Sequence, residues 1–474
     1  MRGGGSASAI APAPEWRGTT VQVCGLYPFA AGSGMPLIGA PLGRHLLSAC
    51  TVCADPISWF NARLINNPSA FVLARPGLGK SSLVRHILTM LDHDGLVPLV
   101  MADLKPDYVD LMEVMEGDVI RVGREIGSIN PLDPGPVLEL LDQMSPAARK
   151  AAVAEIRARQ LAVLGGLIEI VRHEALTARE RNILALALRL VVEDDLSRVP
   201  LVQDVLDKIR QAPTELRHAA LDRQDKQRYL EATEHLEEGL MALGEDGPFG
   251  SVFCRPTSTP IRLGVPTVFD VSSITDDDIL LQAAAQAVCW SYGSAAVAAS
   301  RRATDDGIGE PITYFLVMDE LWRILRAGPT MIDLIDAITR LNRQLGLGQV
   351  MITHTMADLV MPDPAQTLKA WGFVERSAMV FIGGLAEKEM GNLREVFGMT
   401  KQEENMIQSW SAEAQVDPLT NRAASPPGQG RFLLKLGKAT GVPFQVQLTA
   451  SEKAVNDTNK RWAALRHTDS AGAR

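Results

Sequence analysis

Short apolar runs with little polar interruption recur along the chain, at 71–74, 97–101, 265–270, 314–318, 348–353 and 378–382. Strands that alternate apolar and polar residues bury one face. Runs that do not alternate are buried on both faces, as in a parallel sheet covered by helices on its two sides. Two later runs, 431–436 and 444–448, read as a closing β pair. Between these runs the apolar spacing is helical. From about 137 to 241 helix takes over entirely. Ser145-Pro146 offers an N-cap followed by Pro at the first helical position, and Thr177-Ala178-Arg179-Glu180 a capping box ahead of Ile183, Leu184, Leu186, Leu188, Leu190 and Val191. Thr275-Asp276-Asp277-Asp278 caps a further helix over about 282–294, where acidic residues in a first turn suit the helix dipole and need no metal. A helix over about 329–345 precedes the run at 348–353. The predicted class is α/β, with a parallel-rich central sheet, helices on both faces and an all-α insertion. The boundaries are a flexible leader (1–14), the front of the α/β domain (15–134), the insertion (135–245), the back of the α/β domain (246–465) and a flexible tail (466–474).

One stretch carries chemistry. Phe71-Val72-Leu73 runs through Ala74-Arg75-Pro76-Gly77-Leu78-Gly79 into Lys80-Ser81-Ser82, a strand, a glycine-rich turn and a helix start in the order of a P-loop, with Ala74 in place of the usual first Gly. Gly77 and Gly79 allow positive φ, so that backbone N–H groups turn inward around a phosphate at a helix N-terminus. Residues 76–82 are therefore the candidate nucleotide cradle: Lys80 would reach the outer phosphates, and Ser81 would hold Mg²⁺. A P-loop needs a carboxylate at a neighbouring strand end. Asp319 closes the run at 314–318 and is the second Mg²⁺ candidate; Glu320 follows it as the candidate base for an attacking water. Hydrolysis needs that base, which favours an NTPase over a small-molecule kinase. Thr353 and His354, at the end of another core strand, are candidates to touch the γ-phosphate or the water. Asp103, Lys105 and Tyr108 follow the strand after the P-loop helix, where they either line the site or form a turn and its caps.

Composition narrows the setting. Forty-seven basic residues against 56 acidic leave a net charge of −9, which gives no global signal for nucleic acid or an anionic membrane. The longest apolar stretch, 281–300, is broken by Gln282, Gln286, Ser291 and Ser294, too polar to span a bilayer. Cys50 and Cys53 form a CxxC with no second pair to complete a zinc site, so they read as buried structural thiols in a reducing, cytoplasmic compartment.

The ordered set of motifs resembles the conjugation ATPases of type IV secretion systems, in the class of the fourth VirB component, within the HerA/FtsK group of motors. The strings that carry the resemblance are Gly25-Leu26-Tyr27-Pro28-Phe29, Asp55-Pro56, Pro76 to Ser81, Asp103-Leu104-Lys105-Pro106-Asp107-Tyr108, Ile129-Asn130-Pro131-Leu132-Asp133, Phe269-Asp270-Val271-Ser272, Met318-Asp319-Glu320-Leu321-Trp322, Ile352-Thr353-His354-Thr355-Met356-Ala357-Asp358-Leu359 and Thr449-Ala450-Ser451-Glu452, with Thr458 and Trp462 near the end. The resemblance implies a RecA-like P-loop NTPase that uses ATP and Mg²⁺ as a homo-hexameric ring, with a neighbour's arginine completing each site. Arg340 and Arg343 are the candidates for that finger. It also implies partners among the secretion components, peripheral membrane association through them, and DNA as a candidate substrate. Three features depart from the family. His354 stands where Gln is usual, Asp107 stands where Glu is usual, and the segment before the P-loop has no room for the family's large N-terminal domain, which would then be a separately encoded partner. The competing readings are a DNA translocase of the same group and a nonhydrolysing nucleotide-binding scaffold.

Overall fold

The computed structural model describes residues 35–194, 198–326, 332, 335–336, 346–413 and 426–455. The predicted leader and tail, the string at Gly25 to Phe29, Arg340 and Arg343 with most of the helix expected over 329–345, and Thr458 and Trp462 lie outside them.

Eleven strands form one sheet among the described residues: β1 (Pro41–His45), β2 (Thr51–Cys53), β3 (Ser69–Leu73), β4 (Val97–Asp103), β5 (Asp118–Arg121), β6 (Thr267–Asp270), β7 (Tyr314–Met318), β8 (Gly348–Thr353), β9 (Met379–Ile382), β10 (Arg431–Lys435) and β11 (Val442–Val446), in the order β2-β1-β11-β10-β9-β3-β8-β7-β4-β6-β5. From β5 to β9 every pairing is parallel; β9, β10, β11, β1 and β2 then pair antiparallel. Strands β3, β4, β7, β8 and β9 are buried at every position, so both faces of the parallel part are covered, as their unbroken apolar runs require.

Three helices lie on the front part of the chain: α1 (Pro56–Asn61), α2 (Lys80–His93) and α3 (Val109–Val114). Between β5 and β6 the described chain is helical, with α4 (Val137–Leu140), α5 (Pro146–Arg172), α6 (Ala178–Asp194), α7 (Val202–Gln211), α8 (Thr214–Ala220) and α9 (Lys226–Ala242). The expected caps are present. Ser145 Oγ accepts from Ala148 N, and Thr177 and Glu180 close a reciprocal capping box at 2.7 and 3.2 Å. These helices are not set apart, because α5 packs along α10 (Ile279–Asp305) and one apolar cluster runs from β3 and β4 through α5–α9. Asp278 caps α10 by accepting from Leu281 N, and Asp276 accepts from Arg323 at 3.2 Å; the helix starts at Ile279, so the acidic residues precede its first turn instead of filling it. The remaining helices are α11 (Leu321–Leu325), α12 (Pro364–Arg376), α13 (Met390–Phe397), α14 (Lys401–Trp410) and α15 (Ala450–Val455).

The strand after α2 is parallel to the P-loop strand, as expected, with β8 and β7 lying between β3 and β4. This opens the edge between β3 and β7 where a site can form. One expectation needs correcting. Cys53 is buried, whereas Cys50 is exposed beside the Ser48 hydroxyl because it precedes a three-residue strand near the sheet edge; both thiols are free. Among the described residues no helix is long and apolar enough to cross a membrane.

Candidate nucleotide site

Parallel strands put their carboxyl ends on one edge of the sheet, and the predicted site residues meet there. β3 delivers the loop Ala74 to Gly79 into α2, β7 delivers Asp319 and Glu320, β8 delivers Thr353 and His354, and β4 ends at Asp103. Register ties them together: Leu73 pairs with Thr353 across β3 and β8, and Met318 with Met351 across β7 and β8.

The loop has the conformation its glycines allow. Gly77 and Gly79 have φ of 78° and 95°. Gly79 is also pressed against the turn before β10. A Cβ there would stand 3.3 Å from Gly430 N, and Gly430 N donates to Leu78 O at 2.9 Å. Pro76, Leu78 and Ser82 complete the cradle, with Leu78 buried and Pro76 exposed.

Lys80 is 9% exposed and Glu320 7%, and His354 joins them. Lys80 Nζ donates to Ala74 O at 2.9 Å and lies 2.8 Å from His354 Nδ1; His354 Nε2 lies 3.0 Å from Glu320 Oε1. An ammonium has donors only, so Nδ1 accepts and the ring proton sits on Nε2, facing the carboxylate. Trp322 Nε1 donates to the other oxygen of Glu320 at 2.7 Å, and Lys105 Nζ stands 3.5 Å from Oε1. Glu320 also has a positive φ of 49°, a conformation uncommon for a non-glycine residue. Burial alone would raise the Glu320 pKa. The hydrogen bonds from His354 and Trp322, with the Lys105 charge, outweigh it and hold the carboxyl below its usual range. Burial pulls the Lys80 ammonium down, against the attraction of Asp319 and Glu320.

The cation candidates form a second chain. Ser81 Oγ donates to Asp107 Oδ2 at 2.7 Å, and Tyr108 Oη donates to Asp319 Oδ2 at 3.2 Å. Asp319 Oδ1 accepts from Glu320 N at 2.8 Å. Desolvation, then the neighbouring Glu320 charge, raises the Asp319 pKa. A carboxylate short of positive charge beside a hydroxyl and a second carboxylate is an all-oxygen donor set that fits a hard divalent cation. Among the described residues no cluster of three or more His, Cys, Asp or Glu could hold a metal, so a Mg²⁺ here would take most of its shell from phosphate and water.

Asp103 is a brace, since its carboxylate accepts from Asp107 N and Tyr108 N at 3.2 and 2.8 Å and is 2% exposed. Lys105 and Tyr108 reach the carboxylates directly. Thr353 is 1% exposed and its hydroxyl has no partner in the structure. Sequence reasoning noticed Asp107 only as a departure from the family, and missed Trp322 as the second anchor of Glu320. The spacing Asp103 to Asp107 was the one available signal, a strand-end turn that returns its fourth residue toward the P-loop helix.

No protein-family model matches the chain, and no curated protein sequence matches it. Among solved structures, VirB4 of Thermoanaerobacter pseudethanolicus aligns over 89% of this chain and 99% of its own, with a TM-score of 0.62 and 17% identity. The bacterial conjugative coupling protein TrwB, in its trigonal form with sulphate, aligns over 82% of this chain and 87% of its own at a TM-score of 0.48 and 12% identity. At 17% identity a likeness is one of fold, and the chain has the α/β, RecA-like fold of the VirB4 structure.

Proposed function

We propose that the chain is an ATP-hydrolysing motor of the conjugation-ATPase type, working as a homo-hexameric ring at the cytoplasmic face of a type IV secretion-like transfer system. The observation that carries the reading is Lys80, His354 and Glu320 linked at 2.8 and 3.0 Å beside a glycine loop of positive φ. The fold shared with VirB4 and the ordered motifs support it.

In this reading the loop N–H groups and the N-terminus of α2 hold the phosphates, and Lys80 turns from His354 to the β and γ oxygens. Ser81 and Asp319 would hold Mg²⁺, which would supply positive charge to the phosphate oxygens. Glu320, kept ionised and fixed from both sides, orients the attacking water and takes its proton. Arg340 and Arg343 remain the candidates for the neighbour's finger, and a separately encoded N-terminal-domain partner would link the motor to the secretion components and through them to the membrane.

Steady-state ATP hydrolysis over a protein concentration series, with and without DNA, tests the proposal. Rates should rise cooperatively with concentration and vanish in Lys80→Ala and Glu320→Gln. Wild type turning over no faster than Glu320→Gln at any concentration would leave a nonhydrolysing scaffold, and strong stimulation by DNA would make the chain a translocase.

A further inference from the structure

The two cation candidates come from distant parts of the chain, yet adjacent residues hold them. Ser81 donates to Asp107 and Asp319 accepts from Tyr108, and both partners belong to one turn that follows β4. We propose that this turn, Asp103 to Tyr108, shapes the cation site: Asp107 and Tyr108 are positioning residues for Ser81 and Asp319, and through them the site prefers Mg²⁺ to Ca²⁺. The inference rests on the P-loop reading and adds to it the residues that set its cation selectivity.

The turn is held firmly. Asp103 is buried at the end of β4, and its carboxylate oxygens accept from Asp107 N and Tyr108 N at 3.2 and 2.8 Å. Its own carbonyl accepts from Val271 N at 3.1 Å, which ties the strand end to the chain after β6. Arg85, buried on α2, donates to Asp107 O, so the turn is also fastened to the helix that carries Ser81. Tyr108 is fully buried, and close packing leaves its hydroxyl little room to turn from Asp319.

What the two contacts do follows from their donors and acceptors. A hydroxyl has one proton and two lone pairs. Asp107 takes the Ser81 proton at 2.7 Å, which leaves the lone pairs for a cation and keeps the proton from opposing it. Each carboxylate oxygen offers about two lone-pair sites. Tyr108 fills one on Asp319 Oδ2 at 3.2 Å and Glu320 N one on Oδ1 at 2.8 Å, so the group is gripped at both ends with acceptor capacity left on each oxygen. Mg²⁺ demands near-ideal octahedral geometry and keeps several of its waters, whereas Ca²⁺ takes more oxygens in flexible arrangements. Donors fixed in orientation, with phosphate and water to complete the shell, therefore suit Mg²⁺. Loosened donors lose that advantage.

Calorimetric titration with ADP in EDTA, in Mg²⁺ and in Ca²⁺ tests the assignment without turnover. The readout is the factor by which each cation raises ADP affinity over EDTA, and the ratio of the two factors. In wild type Mg²⁺ should give the larger factor. Tyr108→Phe removes one oxygen and keeps the buried ring. It and Asp107→Ala should each cut the Mg²⁺ factor about 10- to 100-fold, the usual cost of losing a partner that orients a metal ligand. The Ca²⁺ factor should fall less, so the ratio falls with it. Asp107→Asn keeps an acceptor for Ser81 and loses a charge that acts on both dications alike, so its ratio should stay at the wild-type value. Every variant should bind ADP in EDTA at least as well as wild type, which shows its loop intact. A ratio unchanged in both Tyr108→Phe and Asp107→Ala, or lowered as far by Asp107→Asn as by Asp107→Ala, would overturn the assignment and leave the P-loop reading standing. Wild type that binds ADP under none of the three conditions would remove the P-loop reading, and this inference with it.

Discussion

Replacing His354 with Ala isolates the link between Lys80, the proposed phosphate ligand, and Glu320, the proposed base. The change deletes the imidazole between Lys80 Nζ and Glu320 Oε1, at 2.8 and 3.0 Å, and leaves Trp322 as the one remaining close donor to Glu320. A hydrogen bond to a charged group contributes about 1.5–3 kcal/mol. If that positioning is expressed in the transition state, kcat falls by about 10- to 150-fold at 1.36 kcal/mol per decade. Nucleotide affinity should not fall. Lys80 has three donors, two of them held by Ala74 O and His354 Nδ1, so deleting the ring frees a donor for phosphate. Glu320→Gln, which removes the base itself, should cost about 10²- to 10⁴-fold. The decisive value is that of the double variant. Because His354 acts through Glu320, His354→Ala added to Glu320→Gln should slow turnover little further. Single-turnover hydrolysis, with ATP affinity measured separately, checks all four proteins. Multiplicative losses in the double variant, or a His354→Ala effect confined to KM, would refute the coupling.

Docking of α15 should depend on pH through His86 and Glu452. The His86 pKa is raised: burial opposes this, but the Glu452 hydrogen bond, the Pro41 carbonyl and the Glu452 charge prevail. The Glu452 pKa is lowered, with burial again overcome by His86 and Thr449. A raised histidine stabilises below its usual 6.5 and loses that contribution as pH rises through the higher folded value; a lowered carboxyl stabilises above its usual 4.5 and loses it as pH falls through the lower one. Proteolysis at Lys453 should therefore be slowest between about 4.5 and 6.5 and speed up toward alkaline pH, and His86→Gln should flatten the alkaline limb. An alkaline limb that persists in His86→Gln would exclude the histidine as its source. Lys435→Met should destabilise the chain by about 3–5 kcal/mol in urea unfolding, because it strands the buried Glu403 carboxylate. The pair meets at 3.1 Å with Lys435 at 0% exposure, and a loss under about 1 kcal/mol would mean that solvent reaches it. Gly79→Ala should abolish pyrophosphate binding while unfolding at nearly the wild-type midpoint, since a Cβ at φ 95° beside Gly430 N deforms the loop locally; retained binding would show that the loop tolerates the change.

The strands buried on both faces were legible in the sequence, as was the closing antiparallel pair β10 and β11. Runs such as Tyr314–Met318 and Met379–Ile382 carry no polar residue, and burial leaves them no alternative to a core strand. β1 and β5 were not legible. Pro41–His45 is interrupted by Gly43 and Arg44, and Asp118–Arg121 is four residues at the sheet edge with one buried position. Strand order was hidden for another reason. That β8 and β7 separate β3 from β4 depends on pairings across hundreds of residues, which no local periodicity records. The site divides along the same line. Lys80, Ser81, Asp319 and Glu320 are visible because a phosphate turn and a strand-end carboxylate pair have local patterns. The contact of Tyr108 with Asp319 spans 211 positions and had no local signature, and the Ser81 to Asp107 bond, which depends on where β4 lands, had only the Asp103 to Asp107 spacing to announce it.

The hydrogen bonds within the site constrain where binding energy can come from. The side chains proposed to act on the phosphates, the cation and the water already have partners: Lys80 holds Ala74 O and His354, Ser81 holds Asp107, Asp319 accepts from Tyr108, and Glu320 accepts from Trp322. A ligand must exchange these hydrogen bonds for its own, bond against bond, so the net gain per side chain is a small difference between terms of about 1.5–3 kcal/mol. Groups with no such exchange to make, the inward N–H groups of the loop, are then the main source of affinity. The paired side chains contribute where the transition state differs from the ground state, as charge shifts on the γ-phosphoryl oxygens and on the attacking water. This division predicts that truncating Lys80, His354 or Glu320 moves kcat more than nucleotide affinity, whereas deforming the loop with Gly79→Ala acts first on affinity. An enzyme with the opposite pattern would hold its nucleotide by the catalytic side chains, and its resting pairs would have to open before the ligand arrived.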